Sequence, residues 1–281
     1  MQIIGAYIDE DGKPILRESY CFFLDFLGFS SLVQSATSLV EEQELLDKFV
    51  KDVSPHIDEA TKPQEYDYGL DGKLFWGAKI FTDNIVLGYP SRTPEKETEL
   101  GSALFDAMYY QLGCVLSGYF VRGGLSYGNL CIAESVVFGK ALLEAVGLEK
   151  QAGYPRIVVG DSVKEITRQH MSFYGRPNDS PHSKTFLTDH EGAWFLNYLM
   201  WLAEDEFIDR TGLKLHKETI ELMLITYSGD EKIRSKYLWV AEYHNWFCRS
   251  YYDEDGDIEA FAISGISDNC GIRSVTEDEL E

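Results

Sequence analysis

One stretch constrains the chain more than any other: YCFFLDFLGFSS at 20–31. Its apolar run reads as a buried strand, and the glycine within it as a sharp turn into a helix. Asp25 interrupts that run. A carboxylate there is costly to bury unless a cation or hydrogen bonds offset it. Gly28 marks where the chain turns and its backbone can be approached closely. A related pattern returns in KIFTDNIVLGYP at 79–90, where Asp83 lies between two β-type apolar runs at the tip of a hairpin. Two carboxylates on strand ends can converge on a divalent cation. Equally, Asp25 can cap a helix and Asp83 serve a turn. The two positions alone leave both readings open.

Composition narrows the classes. With 281 residues, 44% apolar and 14% aromatic, the chain can bury a sizeable core. It holds no apolar run long enough to span a bilayer. The start, MQIIGAYIDEDGK, lacks a basic segment followed by an apolar one, so no secretory signal is expected. Cys21, Cys114, Cys131, Cys248 and Cys270 are dispersed without a CxxC pair, which suggests reduced thiols in a cytoplasmic protein. A net charge of −22 argues against a general nucleic-acid binder. Any polyphosphate ligand would need metal ions and a local basic cluster against that field.

Taken in order, residues 2–18 read as a short hairpin turning at Asp11-Gly12. A strand over 20–25 leads into a helix that Pro55 ends, followed by the loop KPQEYDYGLDG. Strands flank Asp83, a helix spans 95–117, and FVRGGLSYG is a glycine-rich strand. VFGKALLEAVGLEKQAG reads as a helix and YPRIVVG as a strand, with Asp161-Ser162 capping the helix after it. A loop covers 172–185, and two strands surround His190-Glu191-Gly192. Helices are expected over 216–226 and 231–248, a turn at DEDGD, and a solvated tail TEDELE. This is a mixed α/β sheet with helices on one face, close to a ferredoxin-like core, plus a C-terminal helical and hairpin extension. A single domain is expected over 1–281, its core about 18–200 and its extension about 204–281.

DFLGF at 25–29, FTDNIVL at 81–87, RGGLSYG at 122–128 and VFGKALLEAVGLEKQ at 137–151 together resemble a class III nucleotidyl cyclase domain. More narrowly, the chain is similar to the bacterial Pycsar pyrimidine cyclases of anti-phage defence. The resemblance implies a homodimer with sites at its interface, built on two Mn²⁺ or Mg²⁺ ions per site. Asp25 and Asp83 would be metal ligands, with the backbone carbonyl of Phe26 a further one. Gly28 and Phe29 would lie against the substrate, the turn offering N–H groups to phosphate. The base-reading position is Lys79, and its usual partner position holds Val136, which cannot pair with an exocyclic amine. The two transition-state positions hold Leu143 and Gly147, which lack the expected asparagine and arginine side chains. Arg122 and Arg156 are the candidate replacements, since a guanidinium fork suits charge on phosphorus. The implied reaction converts UTP to 3′,5′-cyclic UMP, a signal read by a separate effector protein. A cytidylate cyclase, a purine cyclase and a catalytically dead nucleotide-binding domain are the alternatives. His170, His190 and His244 show no metal-ligand spacing, and Cys21 and Cys131 lack a clear histidine partner.

Overall fold

The computed structural model describes residues 5–61, 74–176, 179–204, 207–252, 258–267 and 271–275. The loop KPQEYDYGLDG, the DEDGD turn, Cys270 and the TEDELE tail lie outside the described residues.

The elements run β1 (Arg17–Phe26), α1 (Phe29–Ser35), α2 (Leu39–Thr61), β2 (Gly77–Phe81), β3 (Asn84–Pro90), α3 (Glu97–Leu116) and β4 (Val121–Ala133). They continue β5 (Val136–Gly139), α4 (Lys140–Gln151), β6 (Ile157–Val159), α5 (Asp161–Met171), α6 (His182–Thr185), β7 (Phe186–Thr188) and β8 (Trp194–Leu196). After a short 3₁₀ turn over Tyr198–Leu202 come β9 (Ala203–Glu204), β10 (Phe207–Ile208), α7 (Arg210–Thr226), α8 (Glu231–Tyr252), α9 (Ile258–Phe261) and β11 (Arg273–Ser274).

β1 organises the sheet because it is apolar at both parities. Tyr20, Phe22, Leu24 and Phe26 join a core with Val53 of α2 and Leu100, Ala103 and Leu104 of α3. Cys21 and Phe23 point the other way, against Ala141 and Ala145 of α4. A strand buried on both faces needs a cover on each. The expectation of helices on one face is therefore corrected: α4 closes the second. Gly124 permits this, since a Cβ there would lie 2.2 Å from the Ala145 carbonyl oxygen.

Around β1 the order is β4-β1-β3-β2, all antiparallel, which is the βαββαβ arrangement the sequence suggested. β6 joins β4 in parallel, and β8, β7 and β11 extend that edge into a mixed sheet. β5 folds back on the far end of β4. The N-terminal segment makes the expected tight turn, with Gly12 at φ 78° and an isolated bridge between Ile8 and Pro14.

Several local readings change. Pro55 does not end its helix; it sits at an exposed position inside α2, where the lost helix bond faces solvent. Residues 36–38 instead separate α1 from α2. Residues 136–139, rich in β-branched and aromatic side chains, form β5, and the helix starts only at Lys140. Asp161-Ser162 does not cap α5, which begins from Gly160 without a side-chain cap. Ser162 Oγ instead accepts from the Tyr127 N–H and donates to Glu144. The region read as a loop ends in α6, and the second late strand stops at Leu196.

The C-terminal helices pack on the same body. Leu213, Ile220, Tyr237, Val240, Tyr243 and Phe247 share a core with Leu112, Phe120, Phe195 and Tyr198. No helix among the described residues is long and apolar enough to cross a membrane.

Candidate functional site

Register alone brings the key residues together. Asp25, near the end of β1, sits opposite Asn84 on β3 and opposite Arg122 on β4. Asp83 immediately precedes Asn84, so both acids and Arg122 occupy one end of the sheet.

Arg122 binds Asp25 Oδ2 through Nε at 2.9 Å and Nη2 at 2.8 Å. Buried Glu149, from α4, brings Oε1 within 2.7 Å of Arg122 Nε. That N–H donates to Asp25, and Glu149 Oε1 receives no aligned hydrogen bond. The contact of this oxygen with Arg122 is therefore one of charge. Despite its guanidinium partner, the Asp25 carboxyl is pushed up to about 6. Burial is the main cause, with the charges of Asp83 and Glu149 adding to it.

Asp83 is oriented from both sides. Its Oδ1 accepts from Thr82 Oγ1 at 2.9 Å and from Asn84 Nδ2 at 3.0 Å. Thr82 holds φ 55°, an unfavourable angle for a β-branched residue. Such strain costs on the order of 1–3 kcal/mol and persists only where the surroundings enforce it. Here it fixes the tip that presents Asp83.

A residue the sequence did not flag lies within electrostatic range of the set. Lys236 of α8 is half-buried, and its ammonium is pushed down first by burial, then by the positive charges of Arg122 and Lys232, while Asp25 pulls it up. Only the predicted helix phase of α8 hinted at it, because Lys236 precedes buried Tyr237 on the packed side. Glu149 was hidden likewise, as one acid within an amphipathic helix.

The remaining candidates are placed as follows. The Phe26 ring anchors the strand end in the core against Phe49, Tyr110 and Tyr119. Gly28 takes φ 79° and starts α1, which is only seven residues long. Phe29 packs on Phe49 and lines an apolar cleft of about 350 Å³ with Val33, Leu39 and Leu46. Lys79 Nζ donates to the Glu134 carbonyl, two residues before Val136, so its ammonium sits at the β4–β5 turn. Arg156 is buried in the core: it pairs with Asp189, donates Nε to the Ala152 carbonyl at 3.1 Å, and lies among the rings of Tyr154, Phe195 and Trp239. Its guanidinium serves the β7–β8 turn and is not brought to Asp25. Leu143 is 73% exposed on the outside of α4. Cys21 is buried, which raises its thiol far above the usual range.

The end of β1 thus collects Asp25, Asp83 and Glu149 with Arg122 and Lys236. Hard oxygen donors in excess of local cations suit Mg²⁺ or Mn²⁺. Burial raises the Asp25 value most, and the charges of Asp83 and Glu149 add to it.

No family model matches the chain, and no curated protein matches it. The solved structures that the chain resembles at low identity include three cyclase-related proteins. A class III adenylyl cyclase-like ATP-binding protein from Pseudomonas aeruginosa is 12% identical with a TM-score of 0.43, covering 56% of this chain and 37% of its own. The guanylyl cyclase Cya2 is 13% identical with a TM-score of 0.38, covering 54% of this chain and 78% of its own. The monomeric guanylyl cyclase domain of the RhoGC fusion protein from the aquatic fungus Blastocladiella emersonii is 14% identical with a TM-score of 0.41, covering 65% and 96%. The chain therefore spans little more than a third of the length of the first of these. Overlap at this level assigns no role to any residue.

Proposed function

We propose that the chain is a nucleotidyl cyclase that converts a pyrimidine nucleoside triphosphate, UTP foremost, to its 3′,5′-cyclic monophosphate and pyrophosphate. The observation that carries this reading is the meeting of Asp25, Asp83 and Arg122 at one end of the sheet. Asp25 and Asp83, with the Phe26 carbonyl, would hold two divalent cations. When bound, such ions lower the pKa of the ribose 3′-hydroxyl and steady the leaving pyrophosphate. Arg122 offers a guanidinium fork to the phosphates once it leaves Asp25. Lys236 adds a second positive charge from α8, which stands in for the side chains absent at Leu143 and Gly147. Nothing brings Arg156 into this role.

The base preference rests on Lys79 and Val136. Lys79 reaches the turn that leads to Val136, and Val136 is partly exposed there. A lysine can donate to a uracil carbonyl, whereas an apolar valine leaves an adenine amine unpaired at about 1–3 kcal/mol. Incubation with each of the four triphosphates and Mn²⁺, read by mass spectrometry, should give cyclic UMP as the main product. Lys79→Ala should weaken apparent UTP affinity more than metal dependence. Exclusive cyclic AMP would remove the pyrimidine reading, and exclusive cyclic CMP the uracil preference alone. Nucleotide binding without any product would favour a binding module, the reading to which the closed Asp25–Arg122 pair lends weight.

The active form is a homodimer, and its product would signal to a separate effector in anti-phage defence. Phe138 at 63% exposure and Leu143 at 73% leave an apolar patch across the β5–α4 junction that suits a second copy. Light scattering should give a dimer that Leu143→Glu converts to monomer, with at least a tenfold loss of turnover. A fully active monomer would contradict the arrangement.

A further inference from the structure

Away from Asp25, three side chains of unrelated elements turn their ligand atoms toward one another. Glu97 opens α3, His170 ends α5 and His182 begins α6. One ligand atom of each lies within 4.8 Å of the other two. Sequence spacing concealed this group, because the first member is 73 residues before the second. His170 shows no metal-ligand spacing along the chain, and its two neighbours reach it through tertiary packing.

The protonation pattern is the telling feature. His170 is 1% exposed, and its Nε2 lies 2.6 Å from the Glu95 carbonyl. Only an N–H can make that bond, so Nε2 carries a proton and is the ring's donor. Nδ1 is buried without a hydrogen-bond partner. His182 is 3% exposed, and its Nε2 is likewise buried without a hydrogen bond, 3.6 Å from Glu97 Oε1. Glu97 Oε1 accepts from the Tyr174 hydroxyl at 3.0 Å. Two buried imidazole nitrogens without a hydrogen-bond partner are costly. A histidine whose far nitrogen is fixed by a backbone carbonyl is the usual support of a metal-ligating imidazole.

We propose that Glu97, His170 and His182 form a binding site for a borderline divalent transition-metal ion of the zinc class. Two imidazoles and a carboxylate are donors that suit Zn²⁺, with bonds of about 2.0–2.2 Å and a fourth place for water. Ligand atoms in such a tetrahedron lie roughly 3.3 Å apart, so a small side-chain rotation closes the present spacing. The site is separate from the Asp25 end of the sheet. Tyr20 near the start of β1 donates to the Lys96 carbonyl beside Glu97, and Asp25 lies five positions further along the strand, roughly 16 Å away. Burial of both histidines makes the ion a staple that ties the start of α3 to the α5–α6 segment.

The test uses the whole chain carrying Asp25→Asn and Asp83→Asn, so that the two acids proposed to hold cations at the end of β1 cannot contribute. Dialysed against Zn²⁺ and then against metal-free buffer, it should retain one zinc per chain by elemental analysis. Its Tm should rise by roughly 5–10 °C at a hundredfold excess over Kd. Co²⁺ in place of zinc should give the visible bands of a four-coordinate ion. His182→Gln should lose the bound metal, the bands and the Tm shift together, and His170→Gln provides a second variant if the first folds poorly. Failure of the Asp25/Asp83 double variant to hold zinc, or unchanged Co²⁺ bands in both histidine variants, would overturn the assignment without touching the cyclase reading.

Discussion

Asp25→Asn and Asp83→Asn should each abolish cyclic nucleotide formation while the chain stays folded. For Asp25 the structure predicts more than survival. Burial and two neighbouring acids raise its carboxyl from 3.8 to about 6. The folded chain therefore holds this proton more tightly than the unfolded chain does. The associated stability is fully present below the ordinary carboxylate value and is lost as pH rises through about 6. Metal-free wild type thus bears a penalty at pH 7 that Asp25→Asn lacks, and the variant should have the higher Tm at pH 7 and lose that advantage toward pH 4. The same proton competes with metal. Apparent metal affinity of the wild type should be flat above pH 7 and fall about tenfold per pH unit below about 6, since one proton must leave for each ion bound. Thermal denaturation and metal titration across pH 4–8 check both. An Asn variant that is inactive and also markedly less stable at pH 7 would make Asp25 a structural ion-pair partner of Arg122, and the functional reading would lose its main support.

What was legible in the chain follows from locality. β1, the Asp83 hairpin and the glycine-rich β4 announce themselves by apolar runs, turn residues and glycine, and their antiparallel pairing then carries Asp25, Asp83 and Arg122 to one place. Each of those signals lies within about ten residues. The second cover of the sheet was harder to see, although the unbroken apolar run of 20–24 already implied it. Partners delivered by tertiary packing left no local trace. Lys236 arrives from α8, Glu149 from α4, and His170 and His182 meet Glu97 across three helices. Arg156 illustrates the reverse error. An arginine at the head of a strand looks available for phosphate, yet packing encloses it with Asp189 and aromatic rings. Ser162 shows the same override at a helix start, where a capping residue is recruited by Tyr127 and Glu144.

Arg122→Ala should lower kcat by about 10²–10³, the usual cost of losing a charge aimed at a developing anion. The arginine has two competing employments. It pairs with Asp25 and stands against Glu149, so its removal also leaves carboxylates short of a cation. A fall in activity alone would not separate these. Arg122→Lys separates them in part, because an ammonium restores the charge but not the fork, and it should recover stability more than turnover. The sharper comparison adds Glu149→Gln. Its Oε1 has no hydrogen bond, and once Arg122 is gone its charge has lost its nearest cation. Arg122→Ala with Glu149→Gln should therefore regain Tm relative to Arg122→Ala while kcat stays down. Single-turnover rates at saturating nucleotide and metal, beside melting curves of all four variants, make the distinction. If the double substitution returns kcat to near the wild-type value, Arg122 serves only to neutralise Glu149 and Asp25, and the positive charge that meets phosphate must come from Lys236.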